Sequence, residues 1–414
     1  MSNQGIPSSS TLNRIPKVMT ERKLRDRNGK IVKTKTTRPA HQLSDINHTD
    51  IVYTQSMKSV PTNLFRNSGS KFSATLEQKS FYKLMSMNIK VVLNCDAGSD
   101  PYVRLVPATY FFDRIEFRSQ DGSKHLNIVY NDNMHFALST LDSHTYKHTK
   151  QLMNMNPTLG PHACDVSSGE HTFHLPLIGS WIDTGDLWFK NVVGDVIVDF
   201  YPRSTIIDGN GSNVDCLSMD FVIQTEDLED RDIATQEKFH SSVSSEVTFL
   251  DVTPVNFYNQ RLQPNTQVKL ELDALRGDFA FLVVYIRDQG ASGSKSYDIG
   301  ANGKIDILNP GSQSMLGSGS GIVNHYLKHY IMPQHISSDF LNDHQMIILP
   351  FGGSTTKAFY GAKDGSMYFD GSRFYLSMTP DSSFDDNTYD VTIYGYHYST
   401  FLNHFGRYSV HSNE

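Results

Sequence analysis

Three features are scarce in this chain of 414 residues, and each scarcity excludes a class of protein. Cysteine occurs only at Cys95, Cys164 and Cys216, which are too few and too scattered for a disulfide framework or a paired-cysteine metal site. We therefore expect free thiols. The longest fully apolar run, Phe279 to Ile286, has the length of a strand and not of a membrane span. No apolar core follows the first residues, so we expect no secretory signal and synthesis in the cytoplasm.

Acidic residues are scarce in the N-terminal segment. Residues 1–40 hold only Glu21 and Asp26 against ten basic side chains, a net charge of +8. The whole chain carries −7, so the remainder carries −7 − 8 = −15. Basic segments of this kind bind nucleic acid, anionic lipid or an acidic protein surface, and a solvated tail is the alternative. The ten candidate contact residues are Arg14, Lys17, Arg22, Lys23, Arg25, Arg27, Lys30, Lys33, Lys35 and Arg38.

We expect residues 1–50 to form an arm that orders only against a partner, because the segment is polar and has little periodicity. Within it, a Thr cap and a Gly stop predict one short helix over Thr20–Gly29. Residues 1–40 contain no aromatic side chain, which argues against stacking on single-stranded bases.

From Lys71 onward, short runs rich in Val, Ile, Phe, Tyr and Thr alternate with Gly, Asn and Asp turns. This pattern predicts an all-β sandwich or barrel. Helices are expected only over Lys147–Asn154 and His335–Asn342. The predicted strands are Phe72–Leu76, Met85–Leu93, Tyr110–Phe117, Leu126–Tyr130, Trp188–Val193, Asp195–Tyr201, Leu217–Gln224, Val247–Val252, Gln267–Leu272, Phe279–Arg287, Gln345–Leu349, Ser366–Phe369, Arg373–Met378 and Tyr389–Tyr398.

Four short matches between the two halves of the chain indicate an internal repeat. They align Lys90 with Lys269, Gln120 with Gln289, Pro176 with Pro350, and Pro202 with Pro380, at offsets of 179, 169, 174 and 178 residues. Each match alone is weak, but their common order and spacing predict two copies of one sandwich of about 170 residues. A sandwich of that size with about eight strands is a jelly roll. The predicted boundary is the charged stretch Thr225–Gln236.

Motifs that carry chemistry are weak throughout. His171 and His174 are three residues apart on a predicted strand, so they point to opposite faces and do not suit a metal site. The stretch Asp208–Asp215 begins like a calcium loop, but its twelfth position is Met219, so a polar turn is the better interpretation. The run Gly317–Gly321 lacks the Lys-Ser/Thr ending of a phosphate loop.

We therefore expect no catalytic residues, no cofactor and no metal. Paired carboxylates of a glycosidase leave no spacing signature, so that alternative stays open. Trp181 and Trp188 lie close together in sequence, and we favour a subunit interface for them over a sugar-binding platform.

Several segments together carry a resemblance to one family. Lys71–Leu76 is followed by a long strand from Phe81 to Asn94, and Tyr110–Phe117 leads into the turn Asp121-Gly122-Ser123. His174–Leu177 forms an apolar-Pro-Leu element in the first roll, and Thr392–Tyr398 an aromatic closing strand in the second. In these elements and their order the chain resembles the double jelly-roll major capsid proteins of tailless icosahedral viruses, the lineage of tectivirus-type phages and adenovirus hexon.

The resemblance implies an all-β fold of two tandem eight-stranded jelly rolls with an extended N-terminal arm. The expected division is a basic arm over residues 1–50, a first roll over 51–235 and a second roll over 236–414, with a long exposed loop at 290–321. It further implies a structural protein of the virion, with no enzymatic activity, whose homotrimers form pseudo-hexagonal capsomers. The implied partners are neighbouring capsomers, penton or minor capsid proteins, and an internal membrane or the genome at the basic arm.

Two other classes remain open on the sequence alone. One is a two-module carbohydrate-binding or carbohydrate-active sandwich, which needs a cleft with convergent carboxylates and stacked aromatics. The other is a viral spike or penton-associated jelly-roll protein, which would be a minor component of the particle.

Overall fold

The computed structural model describes residues 17–25, 31–39, 48–56, 60–67, 71–77, 83–120, 125–153, 164–178, 194–208, 212–228, 234, 237–238, 241–242, 244–289, 296–316, 321–343, 345–352, 355, 358, 365–404 and 408–412. The first half contains strands β1 (Lys17–Arg25), β2 (Ile31–Pro39), β3 (His48–Ser56), β4 (Phe72–Leu76), β5 (Lys83–Asp96), β6 (Val103–Leu105), β7 (Phe112–Ser119), β8 (His125–Tyr130), β9 (Cys164–Val166), β10 (Gly169–Pro176), β11 (Val196–Pro202) and β12 (Asn213–Leu228). The second half contains β13 (Ser244–Leu262), β14 (Val268–Glu271), β15 (Arg276–Asp288), β16 (Lys304–Leu308), β17 (Ile322–Val323), β18 (Ile347–Pro350), β19 (Met367–Asp370), β20 (Tyr375–Thr379), β21 (Asn387–His404) and β22 (Tyr408–Ser412).

Helices are short and lie in the connections. They are α1 (Leu64–Asn67), α2 (Asn131–Ala137), α3 (Ser143–Leu152), α4 (Asn324–Tyr326) and α5 (Ser338–Asp343), with 3₁₀ turns at Ala108–Tyr110, Leu138–Thr140 and Met332–Gln334 and a π-helical turn at Leu327–Ile331. The helix predicted over Lys147–Asn154 corresponds to α3, and the one over His335–Asn342 to α5.

The two halves repeat one strand topology. In the first, the sheets run β3-β12-β5-β10 and β4-β11-β7-β8, and in the second β13-β21-β15-β18 and β14-β20-β16-β17. Counting the eight main strands of each half in chain order, both give the orders 1-8-3-6 and 2-7-4-5. That order defines a jelly roll, so the chain holds two of them, here called the first roll (β3–β12) and the second roll (β13–β21).

The facing sheets of each roll bury alternate side chains between them. In β11, Val196, Val198 and Phe200 are at most 1% exposed, as the period of two requires for the residues that point into the roll. The Phe200 ring meets Phe221 of the opposite sheet edge-on, with centroids 5.6 Å apart. Burial of a side chain of this size contributes roughly 1.5–3 kcal/mol.

A buried carboxylate holds three strands of the first roll together. Asp199 of β11 is fully buried and accepts hydrogen bonds from Lys71 (2.8 Å), Ser73 of β4 (2.5 Å) and Arg118 of β7 (2.6 Å). Burial alone would raise the pKa of Asp199, but these donors outweigh it and lower the pKa to about 2.

The N-terminal basic segment forms strands, so the helix predicted over Thr20–Gly29 is wrong. β1 and β2 pair along nine positions, and β1 pairs in parallel with the start of β3, which extends the first roll's sheet to six strands. The reason is tertiary pairing: Ile, Val and Thr supply five of the nine β2 residues and favour a strand, which outweighs the local helix caps.

The prediction of one long exposed loop over 290–321 is wrong in its central part. β16 occupies residues 304–308 of that segment, and Ile305 and Ile307 on it are fully buried. The Gly-rich flanks led to the prediction of a loop, although the five residues between them form the buried fourth strand of the second roll.

Candidate functional site: the junction between the two rolls

The junction is built around α2, which follows β8 directly and packs on the outer face of the second roll's β15 and β21. An N-terminal Asn131 and the side chain of Asn133, which accepts from the Tyr130 backbone N–H at 3.2 Å, start the helix. All residues of α2 from Asp132 to Ala137 are buried. A seven-residue helix with both faces covered is stable only through such tertiary contacts.

A buried ion pair lies at the centre of the junction. Arg287 of β15 donates to both oxygens of Asp132, at 3.1 Å for one and in a very short contact for the other. The hydroxyls of Tyr110 and Tyr394 donate to the same carboxylate at 2.6 and 2.8 Å. Tyr285 lies under the guanidinium, whose carbon is 4.5 Å from the ring centroid.

The charge states of this cluster follow from its contacts. Burial would raise the pKa of Asp132, but Arg287 and the two tyrosine hydroxyls outweigh it and lower that pKa. Burial and the adjacent carboxylate raise the pKa of Tyr110 and of Tyr394 well above the ordinary value, so both stay neutral donors. The cluster is therefore an ion pair in which two guanidinium nitrogens and two tyrosine hydroxyls donate to one carboxylate, which fixes the orientation of the two rolls.

Aromatic packing surrounds the ion pair. The Phe136 ring lies 5.7 Å from Phe281 and 5.6 Å from Tyr396, and Asn133 Nδ2 donates to the Tyr396 hydroxyl at 2.5 Å. A further contact joins the connections of the two rolls, where the Ser337 backbone N–H donates to the Ser139 carbonyl at 2.9 Å. The junction thus combines apolar burial with directional hydrogen bonds.

None of these junction residues was a candidate from the sequence. A signal does exist: the apolar run Phe279–Ile286 and the alternating Tyr394, Tyr396 and Tyr398 are too apolar for strands with one solvated face. Strands buried on both faces have such nearly continuous apolar sequences. The pattern therefore indicates that another part of the protein covers the outer face of the second roll.

The predicted basic residues are placed at the start of the first roll. Lys17, Arg22, Lys23 and Arg25 belong to β1 and Lys33, Lys35 and Arg38 to β2, while Arg14, Arg27 and Lys30 lie outside the described residues. The register pairs Lys23 with Lys33 and Glu21 with Lys35. The two strands therefore bring these backbone positions together.

These basic strands lie at one end of the first roll. β1 pairs with β3 at His48 and Thr49, and His48 pairs with Leu228, the last residue of β12. The connections that contain β6 and β9 lie at the other end, near Asn213 at the start of β12, which pairs with Asp96.

A cavity of about 270 Å³ occupies this other end. Its lining includes Asp208 and Ser212 from the calcium-like stretch, together with Asp100, Tyr102 and the ion pair of Arg104 with Asp165. Residues 209–211 lie outside the described part, and Asn213–Asp215 belong to β12. Within the described ranges no three His, Cys, Asp or Glu side chains are grouped to hold a metal ion.

The remaining candidate residues have structural surroundings. The three cysteines are buried and form no disulfide with one another, and burial raises the pKa of the Cys95 thiol to about 11. On β10, His171 lies on the same face as buried Phe173 and His174 on the other, as the spacing predicts. Trp181, Trp188, the strand predicted over Trp188–Val193 and most of Gly317–Gly321 lie outside the described residues.

Comparison with known proteins identifies the fold. The repeated topology and the covered outer face of the second roll define a double jelly roll, and solved structures of that class match almost the whole chain. No protein-family model matches the chain, and no curated protein does. In the described part, no helix is both long and apolar enough to cross a membrane.

Three of the matching structures are viral capsid proteins. VP54 of PBCV-1, fitted into a reconstruction of the virophage Sputnik, has a TM-score of 0.67 at 12% identity, covering 89% of this chain and 98% of that one. The Faustovirus major capsid protein has a TM-score of 0.56 at 8% identity, covering 88% and 92%. The major capsid protein of Sulfolobus Turreted Icosahedral Virus has a TM-score of 0.50 at 13% identity, covering 84% and 96%. The double jelly roll predicted from the sequence is therefore confirmed as the fold of this chain.

Proposed function

We propose that this protein is the major capsid protein of an icosahedral virus, structural rather than catalytic. The observation that carries the proposal is the fold: two jelly rolls joined side by side, over a length that matches capsid proteins almost from end to end. The rival of a two-module carbohydrate-active protein has no comparable support.

The proposed assembly is a homotrimer that acts as a pseudo-hexagonal capsomer. Three copies of a chain with two similar rolls present six similar lobes, so one gene product can tile a flat facet. The junction supports this role because its buried ion pair and aromatic contacts fix the two lobes relative to each other. The division at residues 235 and 236, neighbouring capsomers, and penton or minor capsid proteins as partners belong to the same proposal.

We further propose that the end with β1 and β2 faces the interior of the shell. The ten basic residues would there contact a polyanion, either the packaged genome or the headgroups of an internal membrane. The end with β6 and β9 would then face outward. The localisation that follows is the virion shell, after synthesis in the host cytoplasm.

Sedimentation velocity and negative-stain imaging of the purified full chain test the proposal. We expect a species of three chains and particles of pseudo-hexagonal outline. A stable monomer at micromolar concentration, or sugar-releasing activity that one acidic substitution abolishes, would contradict the capsid function.

A further inference from the structure

The second roll carries a helical segment at the position that α2 occupies in the first roll. β8 ends at Tyr130 and α2 starts at Asn131; β17 ends at Val323 and α4 starts at Asn324, an offset of 324 − 131 = 193 residues. The same offset relates β5 to β15, since Asn88 pairs with Pro176 in the first roll and Phe281 with the equivalent Pro350 in the second, and 281 − 88 = 193.

Both helical segments bury an apolar residue at the equivalent inward position, whereas their outward residues differ. Met134 and its counterpart Leu327 are both buried, at 2% and 0% exposure. In the first roll the outward side of α2 is covered by the second roll. In the second roll the outward side is bare: Tyr326 is 51% and Tyr330 57% exposed, and their rings stack at 4.9 Å. We call His325, Tyr326, His329 and Tyr330 the tyrosine face.

The first roll has a matching sheet face. In the second roll, α2 covers the outer residues of β15 and β21, among them Phe281, Arg287 and Tyr396. By the strand register, their counterparts in the first roll are Asn88, Asn94 and Val222 on β5 and β12. We call the outward residues of β5, β10 and β12 the open sheet face; on it, Leu217 is 49% and Lys90 36% exposed.

The contact between the rolls is heterologous: a helix side of one roll lies on a sheet face of the next. This contact is used once within the chain, so one helix side and one sheet face are left over. Repeating the same contact between copies closes a ring if the rotation from roll to roll allows it. With two rolls per chain, a ring of six lobes needs three copies.

On the two free faces the carboxylates lie on the sheet and not on the helical segment, which is the reverse of the junction. At the junction the helix supplies the acid, Asp132, and the sheet supplies the cation, Arg287. On the free faces, His325 takes the place of Asp132, and Asn94 takes the place of Arg287. Asn94 pairs across the strands with Glu170 on one side and Asp215 on the other, so the open sheet face presents two carboxylates there.

We propose that the tyrosine face docks on the open sheet face of a second copy of this chain, in the same mode as α2 docks on the second roll. This inference rests on the proposed trimer and names its seam. The nearest neighbours in trans are Tyr326 with Val222, the counterparts of Asn133 with Tyr396, and His325 with the Glu170 and Asp215 carboxylates. Because the carboxylates lie on opposite partners in the two contacts, α2 and the tyrosine face do not exchange their partners.

Disulfide trapping tests the seam directly. The full chain with Tyr326→Cys and Val222→Cys, oxidised under native conditions, should give a covalent ladder that ends at three chains on a non-reducing gel. The three native cysteines are buried and give little background. The matched control replaces another exposed tyrosine, Tyr368→Cys, which is 65% exposed and lies on β19, together with Val222→Cys.

A charge exchange gives the second readout. Glu170→Lys with Asp215→Lys should weaken trimer association at least tenfold in sedimentation, and adding His325→Glu should restore part of it. If the chain is trimeric but the Tyr326→Cys pair crosslinks no more than the Tyr368→Cys control, the seam is wrong and the capsid function stands. If the unsubstituted chain is monomeric, the capsid function and the seam both fail.

Discussion

At the scale of single residues, the strongest constraint is the carboxylate of Asp132. It accepts from two tyrosines and from Arg287, and its side chain is 4% exposed. Removing one member of a buried ion pair costs more than the pair contributes, because the other charge is left without compensation. The two rolls are therefore coupled through one acid.

We expect Asp132→Asn to destabilise the protein by about 3–5 kcal/mol, since it leaves the Arg287 guanidinium buried without a counter-charge. Urea unfolding measures the effect. The double variant Asp132→Asn with Arg287→Met should cost clearly less than the sum of the single variants, and additive costs would contradict a coupled pair. The control is Asp386→Asn, whose partner Arg261 is exposed, and which should leave the unfolding midpoint nearly unchanged.

A second residue-scale prediction concerns acid stability. The pKa of Asp199 falls to about 2 in the folded protein, whereas an ordinary aspartate titrates near pH 3.9. A lowered folded-state pKa adds stability that is complete above about pH 4 and is lost as the pH falls towards 2, here roughly 2 kcal/mol. The lowered pKa of Asp132 acts in the same direction.

The measurement is urea unfolding of the wild type and of Asp199→Asn at pH 5, 3 and 2. The variant should be the less stable protein at pH 5, and the difference between the two should shrink as the pH falls to 2. Parallel stability curves over this range would show that the Lys71 and Arg118 contacts do not stabilise the charged form.

At the scale of secondary-structure elements, α2 shows how a short helix can carry an interface. Its seven residues bury Met134 towards the first roll and Phe136 towards the second, so the helix belongs to both. The sequence of α2 has no apolar side that alternates with a polar side, because no face of the helix is exposed to solvent. That is why sequence patterns, which detect one apolar and one polar side, do not reveal it.

We expect Phe136→Ala to cost about 3–5 kcal/mol and to act locally at the junction. Hydrogen exchange should accelerate in β15 and β21, which the ring contacts, and change little in β4 and β11. The matched control is Phe200→Ala, equally buried but inside the first roll, for which the opposite pattern is expected. Equal exchange changes in both variants would mean that the junction is not a separate cooperative unit.

The element scale also shows how far the sequence predicts the fold. Most strands and the two-roll architecture could be read from short β-branched and aromatic runs, but two of the four repeat matches join strands that are not equivalent. Lys90 lies on β5, the third strand of its roll, whereas Lys269 lies on β14, the second. Gln120 follows the fourth strand of its roll, whereas Gln289 follows the third.

The other two matches are correct, because Pro176 and Pro350 end equivalent strands, and Pro202 ends the strand equivalent to the one that Pro380 directly follows. Proline at a strand end has a positional reason, the missing N–H, whereas a Lys between apolar residues recurs on any half-exposed strand. The junction could not be predicted for a related reason: Asp132 and Arg287 are 155 positions apart, and only the tertiary fold brings them together.

At the scale of the whole molecule, the net charge of −7 conceals a local concentration of positive charge in residues 1–40. β1 and β2 bring seven of the ten basic positions into two adjacent strands at one end of the first roll. When a polyanion binds such a cluster, it releases its condensed counterions. Affinity should therefore depend on the position of the basic residues and fall steeply as the salt concentration rises.

Two variants of equal net charge separate the effect of charge position from the effect of total charge. Replacing Lys23, Lys33, Lys35 and Arg38 by Gln removes four charges from the cluster, and replacing Lys147, Lys238, Arg261 and Lys304 by Gln removes four exposed charges elsewhere. Both variants carry −7 − 4 = −11. If overall charge governed binding, the two would weaken it alike; if the cluster forms the contact, only the first variant should.

We expect the first variant to lower the slope of log binding constant against log salt by up to about 3–4 on duplex DNA, at roughly 0.9 per lost phosphate contact. Fluorescence anisotropy over 50–300 mM salt, an order-of-magnitude window for such contacts, measures it, and co-sedimentation with anionic vesicles separates the two polyanions. Loss on DNA alone would indicate that the basic strands face the genome, and loss on vesicles alone a membrane. Equal slopes for the two variants would contradict an interior contact at this end of the first roll, because charge position would then have no effect.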